Sequence, residues 1–131
     1  MVKVAQSEQQ TRKTSEREPM KQVTAIIKPF RLNEVRDALN AIGVSGLTVT
    51  QVQGYGRQRG QGAVYRGPEY EVKFIPKLKI EVLVATEHAE KVFATILKEA
   101  RTGQLGDGKI YIQDVEKVAR IRTGEMDSEA V

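Results

Sequence analysis

Leu78, Ile80, Val82 and Val84 alternate with Lys77, Lys79, Glu81 and Leu83, and a helical pattern starts almost where that alternation stops. A period of two puts one set of side chains on a buried face and the other on the opposite face, which reads as a half-buried strand. Directly after it, Ala89, Val92, Phe93, Ile96 and Ala100 recur at the spacing that lines one face of a helix, and Gly103 follows. Thr86 stands where an N-cap belongs, with Glu87 and Glu90 suited to the first turn. Ile110 to Gln113 returns to short, β-branched sequence and closes a β-α-β unit.

The first half of the chain repeats that unit. Val23, Ala25 and Ile27 alternate with Thr24, Ile26 and Lys28 until Pro29 ends the strand, and Val35, Ala38, Leu39 and Ile42 then recur at i, i+3, i+4 and i+7 ahead of Gly43. Leu47 to Gln53 is extended again. Two β-α-β units in 131 residues leave room for one domain and tails. They imply a ferredoxin-like α+β fold, a four-stranded antiparallel sheet with both helices on one face. Ile26, Leu83 and Tyr111 then fall on the other face, an apolar set that predicts a homo-oligomer. Val118, Arg120 and Arg122 alternate with Ala119 and Ile121, which predicts a fifth, short strand with both arginines on one side and a polar tail from Thr123 to Val131.

Residues 1–19 carry Lys3, Arg12, Lys13 and Arg17 against Glu8, Glu16 and Glu18, with few bulky apolar side chains, and read as a disordered extension. They lack the apolar stretch of a secretory signal, and no window of about 18 apolar residues exists to span a membrane. With no cysteine, thiolate metal sites, disulfides and thiol nucleophiles are excluded, in agreement with a cytoplasmic protein. A net charge of +4 favours anions in general without choosing among them. Aromatics are only 5% of the chain, so base stacking of the RNA-recognition type is not a theme, and the central strands lack its aromatic pattern. His88, the one histidine, falls at the start of a helix, where an exposed side chain is the simpler reading than a phosphoacceptor.

Two glycine-rich segments concentrate the chemistry. Gly103 and Gly108 with Lys109 satisfy the spacing of a phosphate-binding loop, but Ile110 replaces the Ser or Thr that would hold Mg²⁺, and a strand follows in place of a helix. Such a loop suits holding a nucleotide without hydrolysing it. Between the two units, Gly54 to Phe74 is long and aperiodic, with Gly54, Gly56, Gly60, Gly62 and Gly67, as expected of a functional loop. Its glycine spacing differs from a dinucleotide fingerprint and no helix follows. Arg57, Arg59, Lys109, Arg120 and Arg122 add cations suited to phosphate. Taken singly, each is equally an ordinary solvated charge, Lys77 is equally a solvated strand lysine, and the glycines equally serve flexibility alone.

Ile26-Ile-Lys-Pro-Phe30, Gly54-Tyr-Gly-Arg-Gln58, Tyr65-Arg-Gly-Pro-Glu-Tyr70, Ala100-Arg-Thr-Gly103, Gly106-Asp-Gly-Lys-Ile110 and Arg120-Ile-Arg-Thr-Gly-Glu125, in that order, resemble the PII nitrogen-regulatory signal-transduction proteins across Met20 to Val131. The resemblance implies a homotrimer of ferredoxin-like subunits that binds ATP or ADP in clefts between subunits and, with Mg-ATP, senses 2-oxoglutarate. It implies no enzymatic activity. It assigns the phosphates to Gly106, Asp107, Gly108 and Lys109, with Arg120 and Arg122 from a neighbouring subunit, Gly54, Gly56, Arg57 and Gln58 closing the cleft, and Thr48 and Leu83 by the base and sugar. It assigns 2-oxoglutarate to Gln58 and Lys77, with the Gln58 amide completing the coordination of Mg²⁺, which accounts for the missing Ser or Thr. The loop over about residues 55–73 corresponds to the T-loop that docks onto targets such as an ammonium channel, a glutamine synthetase modifying enzyme or a sensor kinase, with membrane contact only through a channel partner and no nucleic acid. Tyr70 matches the tyrosine that many bacteria uridylylate or adenylylate, although Pro68 stands where relatives usually have Ala or Ser. A divergent relative that senses a different small effector would show the same motifs.

Overall fold

The computed structural model describes residues 19–55 and 74–131. Strand β1 (Met20–Ile27) leads through a short 3-10 turn (Pro29–Arg31) into helix α1 (Leu32–Ala41), then strand β2 (Thr48–Gly54). Strand β3 (Ile75–Ala85) runs straight into helix α2 (Thr86–Ala100), and strand β4 (Ile110–Val115) precedes a terminal 3-10 turn (Asp127–Ala130). The sheet has four strands in the order β2-β3-β1-β4, and every pairing is antiparallel. This is the ferredoxin-like α+β arrangement expected of the doubled β-α-β pattern.

The alternation in sequence becomes two chemically different faces. Val23, Ala25, Ile27, Ile80, Val82 and Val84 turn toward the helices and are buried with Val35, Leu39, Ala89, Val92 and Ile96 in one core. Each fully buried Val, Leu or Ile side chain in this core contributes about 1.5–3 kcal/mol. On the opposite face Thr24 pairs across to Glu81 and Tyr111, while Ile26 pairs to Lys79. Ile26 and Leu83 are half-buried there and Tyr111 is exposed, so this face keeps apolar surface that the helices do not cover.

Two expectations are corrected. Thr86 does not cap α2: it is the helix's first residue, Ala85 occupies the cap position in extended conformation, and no side chain caps the turn. The strand runs into the helix without a connecting residue, so the Thr86 amide donates to the Pro19 carbonyl at 3.1 Å. The buried Thr86 Oγ1 has no hydrogen-bond partner among the described residues.

Nor does a fifth strand join the sheet. The segment after β4 makes a single bridge, Ala119 to Met126, around a turn over 121–123. Gly124, at φ 82°, donates its amide to the Arg120 carbonyl at 2.7 Å, and the Arg120 amide donates to the Glu125 carbonyl at 2.8 Å. Arg122 therefore sits in the turn and does not share one side of an extended segment with Arg120. The tail folds back as well: the Asp127 amide donates to the Val118 carbonyl at 2.7 Å, and the Asp127 side chain accepts the Val118 amide at 3.2 Å.

Candidate functional site

Residues 101–109 connect α2 to β4, and the conformation from Thr102 onward is organised by one carboxylate. Asp107 accepts the Thr102 hydroxyl at 2.7 Å and the backbone amides of Thr102 and Gly103 at 2.9 and 2.8 Å. The Thr102 oxygen in turn accepts the Gln104 amide at 3.1 Å and the Lys28 ammonium at 3.2 Å. Lys28 reaches Asp107 directly as well, at 3.5 Å, from the end of β1. The carboxylate is thus turned into the loop, and any part it has in holding a ligand passes through the backbone it shapes.

Partial burial alone would raise the pKa of Asp107, but the hydrogen bonds from Thr102 and Gly103 and the charge of Lys28 outweigh it. The result is a drop from 3.8 to about 2. Because the folded chain binds this proton less readily than the unfolded one, the stabilisation is complete above pH about 4 and disappears as pH falls toward 2. With discount for solvent screening, it amounts to about 1–2 kcal/mol at neutral pH. Thermal midpoints measured from pH 6 to pH 2 should show Asp107→Asn less stable than wild type at the neutral end, with the two curves converging near pH 2.

Gly106 and Gly108 are glycines for different physical reasons. Gly106 has φ 96°, and a Cβ there would meet Lys28 Cε at 3.3 Å and Lys77 Nζ at 3.5 Å. Gly108 has an ordinary φ but lies against β1: a Cβ would fall 2.0 Å from the carbonyl oxygen of Ile26. The Ile26 amide donates to the Lys109 carbonyl at 2.8 Å and pins the loop's end to the central strand. Lys77, reaching across from β3, donates its ammonium to the Gly106 carbonyl. Its stem passes Gly54 of β2, where a Cβ would lie 3.4 Å from Lys77 Cγ. Gly54, Lys77 and Gly106, far apart in sequence, therefore meet at one end of the sheet.

Thr48, Leu83 and Arg120 gather elsewhere. They line a cleft of about 870 Å³ bounded by the loop after α1, the first turn of α2 and the C-terminal residues. Arg120 is held there by Glu125 at 3.4 Å. Thr48 and Gly54 are the two ends of β2, so at about 3.3 Å per residue the two groups of site residues are about 20 Å apart within one chain. The Lys109 and Arg122 residues are exposed, and their side chains join neither group through a hydrogen bond or ion pair among the described residues. Gly56, Arg57, Gln58 and Tyr70 lie outside the described residues. Among the described residues, no three His, Cys, Asp or Glu side chains group closely enough to hold a metal ion, and no helix is long and apolar enough to cross a membrane.

Sequence reasoning did not assign Lys28 or Thr102 to the site. The signals were present, since Lys28 is the last residue before Pro29 and Thr102 opens the glycine loop. What sequence cannot supply is the pairing of the two across 74 residues.

Fold and loop together define a ferredoxin-like α+β domain with a glycine loop gripped by two lysines. A sequence model of the family described as nitrogen regulatory protein P-II matches residues 20–125. The chain is 59% identical to the nitrogen regulatory protein P-II of Rhizobium etli and 53% identical to the nitrogen regulatory protein GlnK of Escherichia coli K12. Each alignment covers 86% of this chain and the whole of the relative. Among solved structures, PII of Arabidopsis thaliana bound to citrate superposes with a TM-score of 0.69 at 38% identity, covering 85% of this chain and 88% of that one. The chain belongs to the nitrogen regulatory protein P-II family.

Proposed function

We propose that the protein is a homotrimeric, cytoplasmic signal transducer that binds ATP or ADP and, with Mg-ATP, 2-oxoglutarate, and regulates target proteins through the segment over about 55–73. Residues 20–131 form the signalling domain and residues 1–19 an extension ahead of it. The observation that carries this reading is the convergence of Gly54, Lys77 and Gly106 beside a loop whose own carboxylate is already satisfied by Thr102, Gly103 and Lys28. Among the described residues, the hydrogen-bond acceptor of Lys77 is a neutral carbonyl, and a cation so placed favours an anionic ligand. Gly106 also suits close backbone approach, since a Cβ there would stand between Lys28 Cε and Lys77 Nζ, 3.3 and 3.5 Å away.

In this reading Gly106, Asp107, Gly108 and Lys109 hold the phosphates through loop backbone and the Lys109 charge, while Thr48 and Leu83 take base and sugar. The 20 Å between these groups within one chain favours a cleft assembled from two copies, with Arg120 and Arg122 of one copy facing the loop of the next. The partly apolar open face of the sheet favours the same association. Gly54, Gly56, Arg57 and Gln58 close the cleft. Bound Mg²⁺ would supply a charge shared by the triphosphate and the keto acid, with the Gln58 amide as its protein ligand and Lys77 as the partner of the distal carboxylate. The citrate bound to the Arabidopsis relative is in keeping with a carboxylate ligand on this fold.

The protein acts without catalysis. Each effector biases the 55–73 segment by its difference in affinity for the segment's two states, commonly about 1–3 kcal/mol. Targets of the proposed kind are an ammonium channel, a glutamine synthetase modifying enzyme or a sensor kinase, and uridylylation of Tyr70 would change both the charge and the bulk of the docking surface. Calorimetry on the full chain tests the effector logic. ATP should bind alone, and 2-oxoglutarate should give heat only after ATP and Mg²⁺ are present. ATP binding without any response to 2-oxoglutarate would point to a different small effector.

A further inference from the structure

We propose that Lys28 is a positioning residue of the nucleotide site, whose ammonium group is the counter-charge that lets a loop built around a fixed carboxylate accept an anionic ligand. The inference rests on the nucleotide reading above and assigns a role to a residue outside the predicted site.

A carboxylate inside a phosphate-accepting loop poses an electrostatic problem. Asp107 shapes the loop through its three hydrogen bonds from Thr102 and Gly103. Those bonds also keep it ionised, so its negative charge stays where negative phosphates would approach. The side chain is only 26% exposed, so water screens that charge incompletely. Lys28, 17% exposed, is the cation beside it at 3.5 Å. Lys77 makes no ion pair with Asp107 among the described residues; its ammonium donates to the Gly106 carbonyl.

The geometry gives Lys28 a second tie to the loop. Its Nζ donates to the Thr102 hydroxyl oxygen, and its Cε lies 3.3 Å from where a Gly106 Cβ would stand. The ammonium therefore faces Asp107 and Thr102, so its effect on a ligand is exerted by cancelling Asp107. Removing Lys28 leaves Asp107 hydrogen-bonded but uncompensated, whereas removing the Asp107 charge as well restores neutrality.

The test is a double-mutant cycle on the full chain, read by calorimetric titration with ATP, ADP and adenosine. Lys28→Met should weaken ATP about tenfold, ADP less and adenosine not at all, because the loss scales with ligand charge. Asp107→Asn should weaken ATP in the wild-type background through the altered loop, yet leave affinity equal or tighter when added to Lys28→Met. Lys28→Arg, which keeps the charge, should bind ATP within about threefold of wild type, and Lys28→Gln serves in place of Lys28→Met if the latter does not fold. Additive losses in the double variant would overturn the proposal and make Lys28 a direct ligand contact. Equal losses for ATP and adenosine would also overturn it, leaving only a structural role. A wild-type protein that binds no adenine nucleotide would instead remove the underlying reading, and this proposal with it.

Discussion

Gly108→Ala is expected to unfold the glycine loop from the sheet, lowering the thermal midpoint on the order of 10 °C and abolishing measurable ATP binding. A methyl group at residue 108 would stand 2.0 Å from the Ile26 carbonyl oxygen and 2.8 Å from the Ile26 carbonyl carbon. Both are backbone atoms of β1, which is hydrogen-bonded on both edges to β3 and β4 and cannot retreat. The loop must move, and with it goes the bond from the Ile26 amide to the Lys109 carbonyl. Overpacking against fixed backbone costs about 3 kcal/mol at the upper end of the usual range, which in a domain of this size gives the stated shift. Gly46→Ala is the matched control: a Cβ there has nothing within 4 Å, so its stability should change by less than about 0.5 kcal/mol. Differential scanning calorimetry on the two variants reads the contrast. Equal midpoints would show that the loop does not lie against β1.

Lys77→Met is expected to separate effector sensing from folding. Methionine keeps the apolar stem that passes Gly54 but removes the ammonium that reaches Gly106. The neutral carbonyl left behind is near the protein surface, so the midpoint should fall by no more than a few degrees. If the ammonium is the partner of the distal carboxylate of 2-oxoglutarate, losing a charge-assisted bond of about 2–3 kcal/mol weakens the keto acid about 100-fold. ATP, which the proposed reading places mainly on the Gly106 to Lys109 backbone, should lose less than tenfold. Competitive titration of 2-oxoglutarate at saturating Mg-ATP measures the first figure and direct ATP titration the second. An unchanged keto-acid affinity would remove Lys77 from the effector site.

The legible part of this fold was the part governed by periodicity. Alternation at Leu78, Ile80, Val82 and Val84 and helical recurrence at Ala89, Val92 and Ile96 each specify one buried face, and the structure buries those faces together. Alternation over the five residues from Val118 to Arg122 was too short to specify anything. There Gly124 at φ 82° and the back-bonding of Asp127 to Val118 decide a turn, a tertiary outcome that side-chain polarity does not encode. Thr86 carries the chemistry of a helix cap, but a strand that passes directly into a helix leaves it one position too late.

The candidate site divides in the same way. The glycine loop was readable because its spacing is chemically distinctive, and Lys77 because a family resemblance singled it out. Lys28 was not, because its importance lies in an ion pair to Asp107 that bridges 79 positions of sequence and depends on β1 and the loop being neighbours. The inward turn of Asp107 is likewise a property of the closed loop, since an aspartate between two glycines can face either way in an open one. Gln58, Arg57, Gly56 and Tyr70 belong to the stretch outside the described residues, which leaves Lys77 as the described member of the proposed effector site.

The central claim is that copies of this chain together form a cationic cleft for an adenine nucleotide, and one sample tests it. Native mass spectrometry of the full chain, with and without ATP or ADP, should give the mass of three chains and a shift corresponding to bound nucleotide. A protein found only as a single chain, with no mass shift at saturating ATP or ADP, would contradict the account.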